Sequence, residues 1–159
     1  MMKENFSFRQ ATNADLPAIA RLVKVVLNEF GLAYDTDTSD NDILDIDKSY
    51  TDNGGIFIVS ENPEHEIIAT SALYRESDKT CTLRKMYVNK NYRGHGLGKI
   101  LMEQILEEAH NMNFTEMILE TNASMTTAIR LYENYGFRKI DGSVPASPRC
   151  NIVMQKKLG

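Results

Sequence analysis

The chain contains the stretch Val88-Asn89-Lys90-Asn91-Tyr92-Arg93-Gly94-His95-Gly96-Leu97-Gly98-Lys99, in which three glycines alternate with other residues. It joins a predicted strand to the helix with the clearest apolar periodicity, carried by Leu97, Ile100, Leu101, Ile105, Ala109 and Met112. The start of a helix leaves its first backbone N–H groups unpaired and carries a partial positive charge. Because glycines let an anion approach these groups closely, the stretch predicts a phosphate-binding loop.

The glycine spacing excludes two common nucleotide-binding loops. A dinucleotide-binding G-x-G-x-x-G starting at Gly94 would need a glycine where Lys99 stands. A P-loop ending in Gly98-Lys99 would need a glycine where Arg93 stands and a serine or threonine where Ile100 stands. The expected phosphate therefore belongs to neither class of site.

Two segments carry motifs of a known family. Arg93-x-x-Gly96-x-Gly98 matches the R/Q-x-x-G-x-G/A signature of the GNAT superfamily of acetyl-CoA-dependent N-acyltransferases, and Ala128-Ile129-Arg130-Leu131-Tyr132-Glu133-Asn134-Tyr135-Gly136-Phe137 resembles its second hallmark. The resemblance is strong over about residues 80–140. It implies that an acetyl group moves from acetyl-CoA to a primary amine of a small molecule or peptide, by direct transfer in a ternary complex.

The resemblance also implies where acetyl-CoA binds. Loop amides would hold the pyrophosphate, backbone groups of Met86 and Val88 would pair with the pantetheine, and a nearby bulge would free an amide for the thioester carbonyl. Asn122 is proposed as a substitute for a family asparagine that is replaced here by Met125. His95 itself is expected to face solvent without a catalytic duty. The predicted cofactor-binding residues are Met86, Tyr87, Val88, Arg93, Gly94, His95, Gly96, Leu97, Gly98, Lys99 and Asn122.

Two residues are predicted to be catalytic. Tyr132 matches the family tyrosine that protonates the leaving thiolate; its alternative role is that of a core tyrosine, the role expected for Tyr135. A base is needed because supplying a neutral alkyl amine at pH 7 costs roughly 4.6 kcal/mol. Glu120 on a buried strand is the first candidate, with Glu29 and Asp35 behind it. A base acting through water, or a purely structural Glu120 paired with a lysine or arginine, is equally open.

Composition and charge exclude several classes of protein. The chain has 159 residues and a net charge of −4, from 18 Lys+Arg and 22 Asp+Glu, which disfavours a nucleic-acid partner. No apolar run approaches the roughly 20 residues of a membrane span, and Met1–Asn5 does not open a signal peptide. We therefore expect one domain over residues 1–159 in the cytoplasm, with no membrane partner and no metal. Cys81 and Cys150 are expected to be reduced, and a homodimer is left open.

The periodicities predict a mixed α/β (α+β) fold with a mainly antiparallel central sheet flanked by helices. The strands 56–60, 66–74 and 80–88 should form an antiparallel meander, because their connections are too short for a parallel crossover. Further strands are predicted at 6–10, 117–121, 137–140 and 151–158, and helices at 12–31, 97–112 and about 125–135, with a short amphipathic helix within 35–47.

Two questions stay open at this stage. Six aspartates in residues 35–47 could concentrate a cationic acceptor or could simply be solvated, whereas Arg84, Arg149 and Tyr74 indicate an acceptor with a carboxylate. The alternative function is that of a non-catalytic acyl-CoA-binding sensor or regulatory module. Thiol release from acetyl-CoA would separate it from the enzyme.

Overall fold

The computed structural model describes residues 5–159, which form one mixed sheet with helices on both faces. Within the described residues the strands are β1 (Ser7–Gln10), β2 (Ile56–Glu61), β3 (Ile67–Arg75), β4 (Thr80–Val88), β5 (Glu116–Thr121), β6 (Arg138–Lys139) and β7 (Ile152–Lys157). The strand order is β1-β2-β3-β4-β5-β7-β6, and all neighbours are antiparallel except β4 and β5. The predicted fold class, with its meander of β2, β3 and β4, is confirmed.

Each face of the sheet has its own apolar core. Helix α1 (Leu16–Glu29) packs on one face through Ile19, Val23 and Leu27, and α2 (Leu97–Asn111) packs on the other. The short helix α3 (Thr126–Asn134) contributes Tyr132 to the core of the α2 face. The chain thus buries two layers of helix against one sheet, as apolar stripes at helical spacing predict.

The short amphipathic helix expected within residues 35–47 is a 3-10 helix of four residues, Asn41–Leu44, in which Ile43 is buried and Leu44 exposed, and a π-helical turn follows at Asp47–Thr51. Between them Asp45 is extended, with φ −152°, and its Oδ1 accepts hydrogen bonds from Asn13 Nδ2 at 2.9 Å and from the Lys48 N–H at 3.1 Å. Such side-chain to backbone bonds compete with a helix, so the aspartate divides the segment.

A β-bulge changes the course of β4. Thr70 pairs with Tyr87 and Ala72 pairs with Arg84, so three steps along β4 oppose two along β3. The extra residue comes with a positive φ of 50° at Lys85, whose carbonyl accepts a hydrogen bond from the Thr70 hydroxyl at 2.6 Å. The parallel register of β4 with β5 runs from Thr80 to Leu83 on β4. Beyond the bulge, β4 is no longer paired with β5.

A buried charge cluster holds this bulge against the segment 33–51. Lys85 Nζ lies 3.2 Å from Asp40 Oδ1 and 3.0 Å from Asp42 Oδ1, and the Lys85 and Asp40 side chains are 4% and 0% exposed. Arg149 also donates to Asp40 at 2.9 Å. The expectation that all six aspartates are solvated or free to attract a cation is therefore wrong for Asp40 and Asp42, which are buried and paired with cations.

The pKa of Asp40 reflects this pairing. Burial alone would raise that pKa, but the hydrogen bonds from Arg149 and the charge of Lys85 outweigh burial and hold it below the usual value. A carboxylate kept ionised in this way contributes stability only while both cations remain beside it.

Several other sequence expectations can be compared with the structure. Cys81 and Cys150 are both free thiols, and burial raises the pKa of Cys81 to about 12. Among residues 5–159, no helix is long and apolar enough to cross a membrane. In the same range, no group of three or more His, Cys, Asp or Glu side chains is arranged to hold a metal ion. The expectation that no signal peptide is present depends on residues 1–5, and residues 1–4 lie outside the part of the chain that the structure describes.

Replacing Asp40 with asparagine should lower the free energy of unfolding at pH 7 by about 3–5 kcal/mol, because Lys85 and Arg149 would stay buried without their shared carboxylate. The contribution of Asp40 is present above its unfolded pKa of about 3.9 and is lost as the pH falls through its lower folded value. The Asp40→Asn protein should therefore lose less stability than the wild type as the pH falls below about 4. Urea unfolding of the wild type and the variant, at pH 7 and below about pH 4, measures these differences in stability.

Asp37 provides the matched control, since it lies in the same acidic segment and is exposed. Asp37→Asn should change the free energy of unfolding by no more than about 0.5 kcal/mol. A loss below about 1 kcal/mol for Asp40→Asn at pH 7 would contradict the role given to the buried cluster.

Candidate active site

A cavity of about 550 Å³ opens where β4 and β5 separate. Its walls come from the second half of β4, the end of β5, Met125 and Tyr132 at the two ends of α3, the segment 38–49 and residues 146–150 of the loop between β6 and β7. Both predicted catalytic residues, Tyr132 and Glu120, line it, as do Met86, Tyr87 and Asn122. The structure therefore brings together residues from strands, a helix and two distant loops.

Tyr132 is both a core residue and a cavity residue. Its side chain is 7% exposed and its ring meets Phe137 edge-on, with 6.0 Å between ring centroids. Burial raises the pKa of Tyr132, so the hydroxyl keeps its proton at neutral pH. The two roles weighed for this tyrosine from sequence are compatible, because the ring packs while the hydroxyl remains a hydrogen-bond donor.

Glu120 is held in a fixed orientation by backbone amides. One carboxylate oxygen accepts from the Ala146 N–H at 2.8 Å and the other from the Ser147 N–H at 3.0 Å. A lysine or arginine partner, the structural role considered from sequence, is not what holds this side chain. A carboxylate oriented by two donors at the end of β5 can face a reacting group in the cavity.

The other two base candidates are engaged elsewhere. Glu29 is bound by the Arg93 guanidinium, with one contact at 3.0 Å, and this pairing lowers its pKa. Asp35 Oδ1 accepts from the Asp37 N–H at 2.9 Å, and Asp35 is not part of the cavity wall. Of the three candidates, Glu120 is the one in the cavity.

The glycine loop has open space beside its backbone. Gly94 and Gly96 have φ of 85° and 79°, and a Cβ added to either would meet no atom within 4 Å. At Gly98 an added Cβ would lie 3.4 Å from Leu131 Cδ2, so this glycine lets α2 approach α3. Because α2 begins at Leu97, the first N–H groups of the helix lack intrahelical acceptors. The loop therefore fits an anion such as a pyrophosphate.

Side chains of the loop have different surroundings. Arg93 Nε donates to the Val88 carbonyl at 3.1 Å while its guanidinium pairs with Glu29, so Arg93 joins the loop to β4 and to the end of α1. His95 is exposed and meets Phe6 edge-on, as expected for a loop residue. The side chain of Leu97 is buried in the core and that of Lys99 is exposed. Leu97 can therefore offer only its backbone to a cofactor.

Asn122 joins two loops. Its Nδ2 donates to the Arg149 carbonyl at 2.9 Å, and its Oδ1 accepts from the Ser124 N–H at 3.0 Å. Both Asn122 and Met125 line the cavity. That Asn122 replaces the family asparagine stays a prediction.

Sequence reasoning missed the part played by Lys85 and by residues 146–150. A lysine is not a residue type that signals a bulge, and Arg149 carries no local signal that it will meet Asp40. Arg149 is also unavailable to an acceptor carboxylate, since its guanidinium is already paired.

Comparisons with known proteins agree with this geometry. Residues 20–137 match the Acetyltransferase (GNAT) family. An uncharacterized N-acetyltransferase from Escherichia coli K12 is 34% identical over 158 residues, covering 94% of this chain and 93% of that protein. The N-acetylaspartate synthetase of Danio rerio is 33% identical over 134 residues, covering 81% of this chain and 46% of that protein.

Solved structures show the same fold. A GNAT-family acetyltransferase from Staphylococcus aureus Mu50 superimposes with a TM-score of 0.90 at 25% identity, covering 98% of this chain and all of that one (100%). An acetyltransferase from Salmonella typhimurium, solved with acetyl-CoA, gives a TM-score of 0.73 at 23% identity, with 98% and 95% of the two chains covered. This chain belongs to the GNAT acetyltransferase family and is an acetyl-CoA-dependent N-acetyltransferase.

Proposed function

We propose that this enzyme moves the acetyl group of acetyl-CoA directly to a primary amine of a small molecule or peptide while both substrates are bound. The observation that carries the proposal is the cavity between β4 and β5, which Tyr132 and Glu120 both line. A single cavity with two such groups supports direct transfer, because the amine and the thioester can meet in it. Cys150 also lines the cavity, but burial raises the pKa of its thiol and so disfavours a thiolate that would carry the acetyl group.

Acetyl-CoA would be held mainly by backbone groups. The open cradle at Gly94 and Gly96 and the start of α2 suit the pyrophosphate. The β4 edge beyond Leu83, with Met86, Tyr87 and Val88, has no strand partner on the β5 side and suits the pantetheine as an added strand. The bulge at Lys85 supports the prediction of a nearby amide for the thioester carbonyl.

The transfer requires two proton movements. When bound, acetyl-CoA supplies a thioester whose carbon bonds to the amine nitrogen as the carbon–sulfur bond breaks. Glu120, fixed by its two backbone donors, would take the proton that the amine gives up, directly or through a water. Tyr132 would donate its hydroxyl proton toward the departing sulfur. A neutral amine and the thioester thus give an amide and a neutral thiol; the proton taken by Glu120 returns to Tyr132 through solvent, and an amine that arrives as ammonium first releases one more proton to solvent.

Other features support the finer parts of the proposal to different degrees. The name of the Danio rerio relative places amino acids among the small amines to be tested. The family match disfavours the sensor alternative, which thiol release would exclude. The single-domain organisation, the cytoplasmic location and a homodimer stay predictions.

Tyr132→Phe should lower kcat by about 10²-fold or more, because it removes the proton donor while keeping the ring packed on Phe137. Release of free thiol from acetyl-CoA with a saturating amine acceptor measures this. Tyr135→Phe is the matched control on the same helix stripe; its hydroxyl donates to Glu103 at 2.9 Å, outside the cavity, and its kcat should stay near that of the wild type. Equal rates for wild type and Tyr132→Phe would rule out the proposed acid.

Gly96→Ala should weaken CoA binding by about tenfold or more, because the added methyl enters the cradle and opposes the positive φ. Gly142→Ala introduces the same strain, at φ 78° with nothing within 4 Å, in a residue outside the glycine loop. Both variants should lose about 1–2 kcal/mol of stability. Calorimetric titration with CoA should separate them, and equal CoA affinity in the two would argue against a phosphate site at Gly96.

A further inference from the structure

We propose that the acceptor is a free amino acid and that Arg84 binds its carboxylate. This inference rests on the proposed function, since it names the class of amine that enters the same cavity. Arg84 lies on β4 and lines the cavity together with Glu120.

The other cations in the cavity wall are already neutralised. Lys85 is paired with Asp40 and Asp42, and Arg149 is paired with Asp40; the Lys85 and Arg149 side chains are 4% and 11% exposed. Arg84 is 34% exposed. Among the cationic side chains that the described residues place in this wall, Arg84 is therefore the one able to meet an anion.

The carboxylate that Arg84 contacts, that of Glu76, holds it weakly. Arg84 Nη2 lies 3.4 Å from Glu76 Oε1, through one nitrogen, and Glu76 is 41% exposed. That glutamate oxygen also accepts from the Thr82 hydroxyl at 2.8 Å. Exposed ion pairs contribute little, so a substrate carboxylate could take over the guanidinium at small cost.

Tyr74 lies against the guanidinium. Arg84 Cζ lies 3.8 Å from the centroid of the Tyr74 ring, close enough for a cation–π contact. This contact uses no N–H group, and the hydrogen bond to Glu76 uses one on Nη2. A guanidinium that binds a carboxylate does so through two parallel N–H hydrogen bonds.

Strand register brings Arg84 and Glu120 to one face of the sheet. Thr82 pairs with Ile118 and Leu83 with Leu119, so Arg84 and Glu120 are the first residues beyond the paired part of the two strands, and both line the cavity that opens there. An amino acid, whose carboxylate and amine are only one carbon apart, would place one group on the cation of β4 and the other on the anion of β5. The zwitterion would put its carboxylate on Arg84 and its amine toward Glu120.

The test compares each free amino acid with its amide, which keeps the amine and loses the carboxylate. In the wild type, kcat/KM for thiol release should be about 10- to 100-fold higher for the best amino acid than for its amide. Arg84→Gln should abolish this preference for the amino acid by raising its KM, with little effect on the amide. Arg84→Lys keeps the charge without the paired donors and should give an intermediate ratio.

Arg75→Gln is the matched control, because Arg75 lies on the neighbouring strand, is 39% exposed, pairs with Asp78 and does not line the cavity. It should leave the ratio unchanged. The thermal shift produced by CoA should be equal in all variants, which shows that they fold and keep the cofactor site. If Arg84→Gln does not fold, the wild-type ratio and Arg84→Lys decide the question.

The outcomes separate the two proposals. Amino-acid amides or a diamine such as putrescine that react as well as the amino acids, or an Arg84→Gln effect equal for all acceptors, would overturn the carboxylate role and leave the acetyl transfer standing. Absence of thiol release with every amine, despite a thermal shift with CoA, would overturn the proposed function itself.

Discussion

The loss of pairing between β4 and β5 beyond Leu83 is the constraint on which the cavity depends. One extra residue in β4 turns the strand away from its parallel neighbour, and the freed edge would carry unpaired backbone groups in an otherwise continuous sheet. Lys85 holds that bulge by sending its side chain into a buried pair of carboxylates. The opening is therefore fixed by ion pairs and strand geometry, and the cavity between the two strands is lined by Glu120 of β5 and Tyr132 of α3.

Charge in this acidic chain is divided between two layers. The inner layer is the buried cluster of Lys85, Asp40 and Arg149, in which desolvation is offset by mutual pairing. The outer layer, with Arg84 and Glu120, faces the cavity and is the part that a substrate can meet. A net charge of −4 conceals this division, since it counts all carboxylates alike.

Local patterns were sufficient to predict most of the elements, the glycine loop and the family, because strand alternation, helical periodicity and turn glycines are encoded within a few residues. They were not sufficient for Arg149, which meets Asp40 at a separation of 109 residues. Nor could they predict a positive φ at Lys85, a residue type that seldom adopts one. The helix expected within 35–47 ends after one turn because Asp45 is extended and its carboxylate accepts hydrogen bonds from Asn13 and from the Lys48 N–H.

The shared carboxylate of Asp40 also bears on how such enzymes diverge and how they can be re-engineered. A relative that received only residues 33–51 of this chain would bury Asp40 without Arg149, whereas one that received only residues 141–150 would bury a guanidinium without its counter-ion. Residues 33–51 and residues 141–150 therefore depend on each other. Grafting this acceptor pocket onto another scaffold would require exchanging both segments, together with Lys85 of the bulge, in a single step.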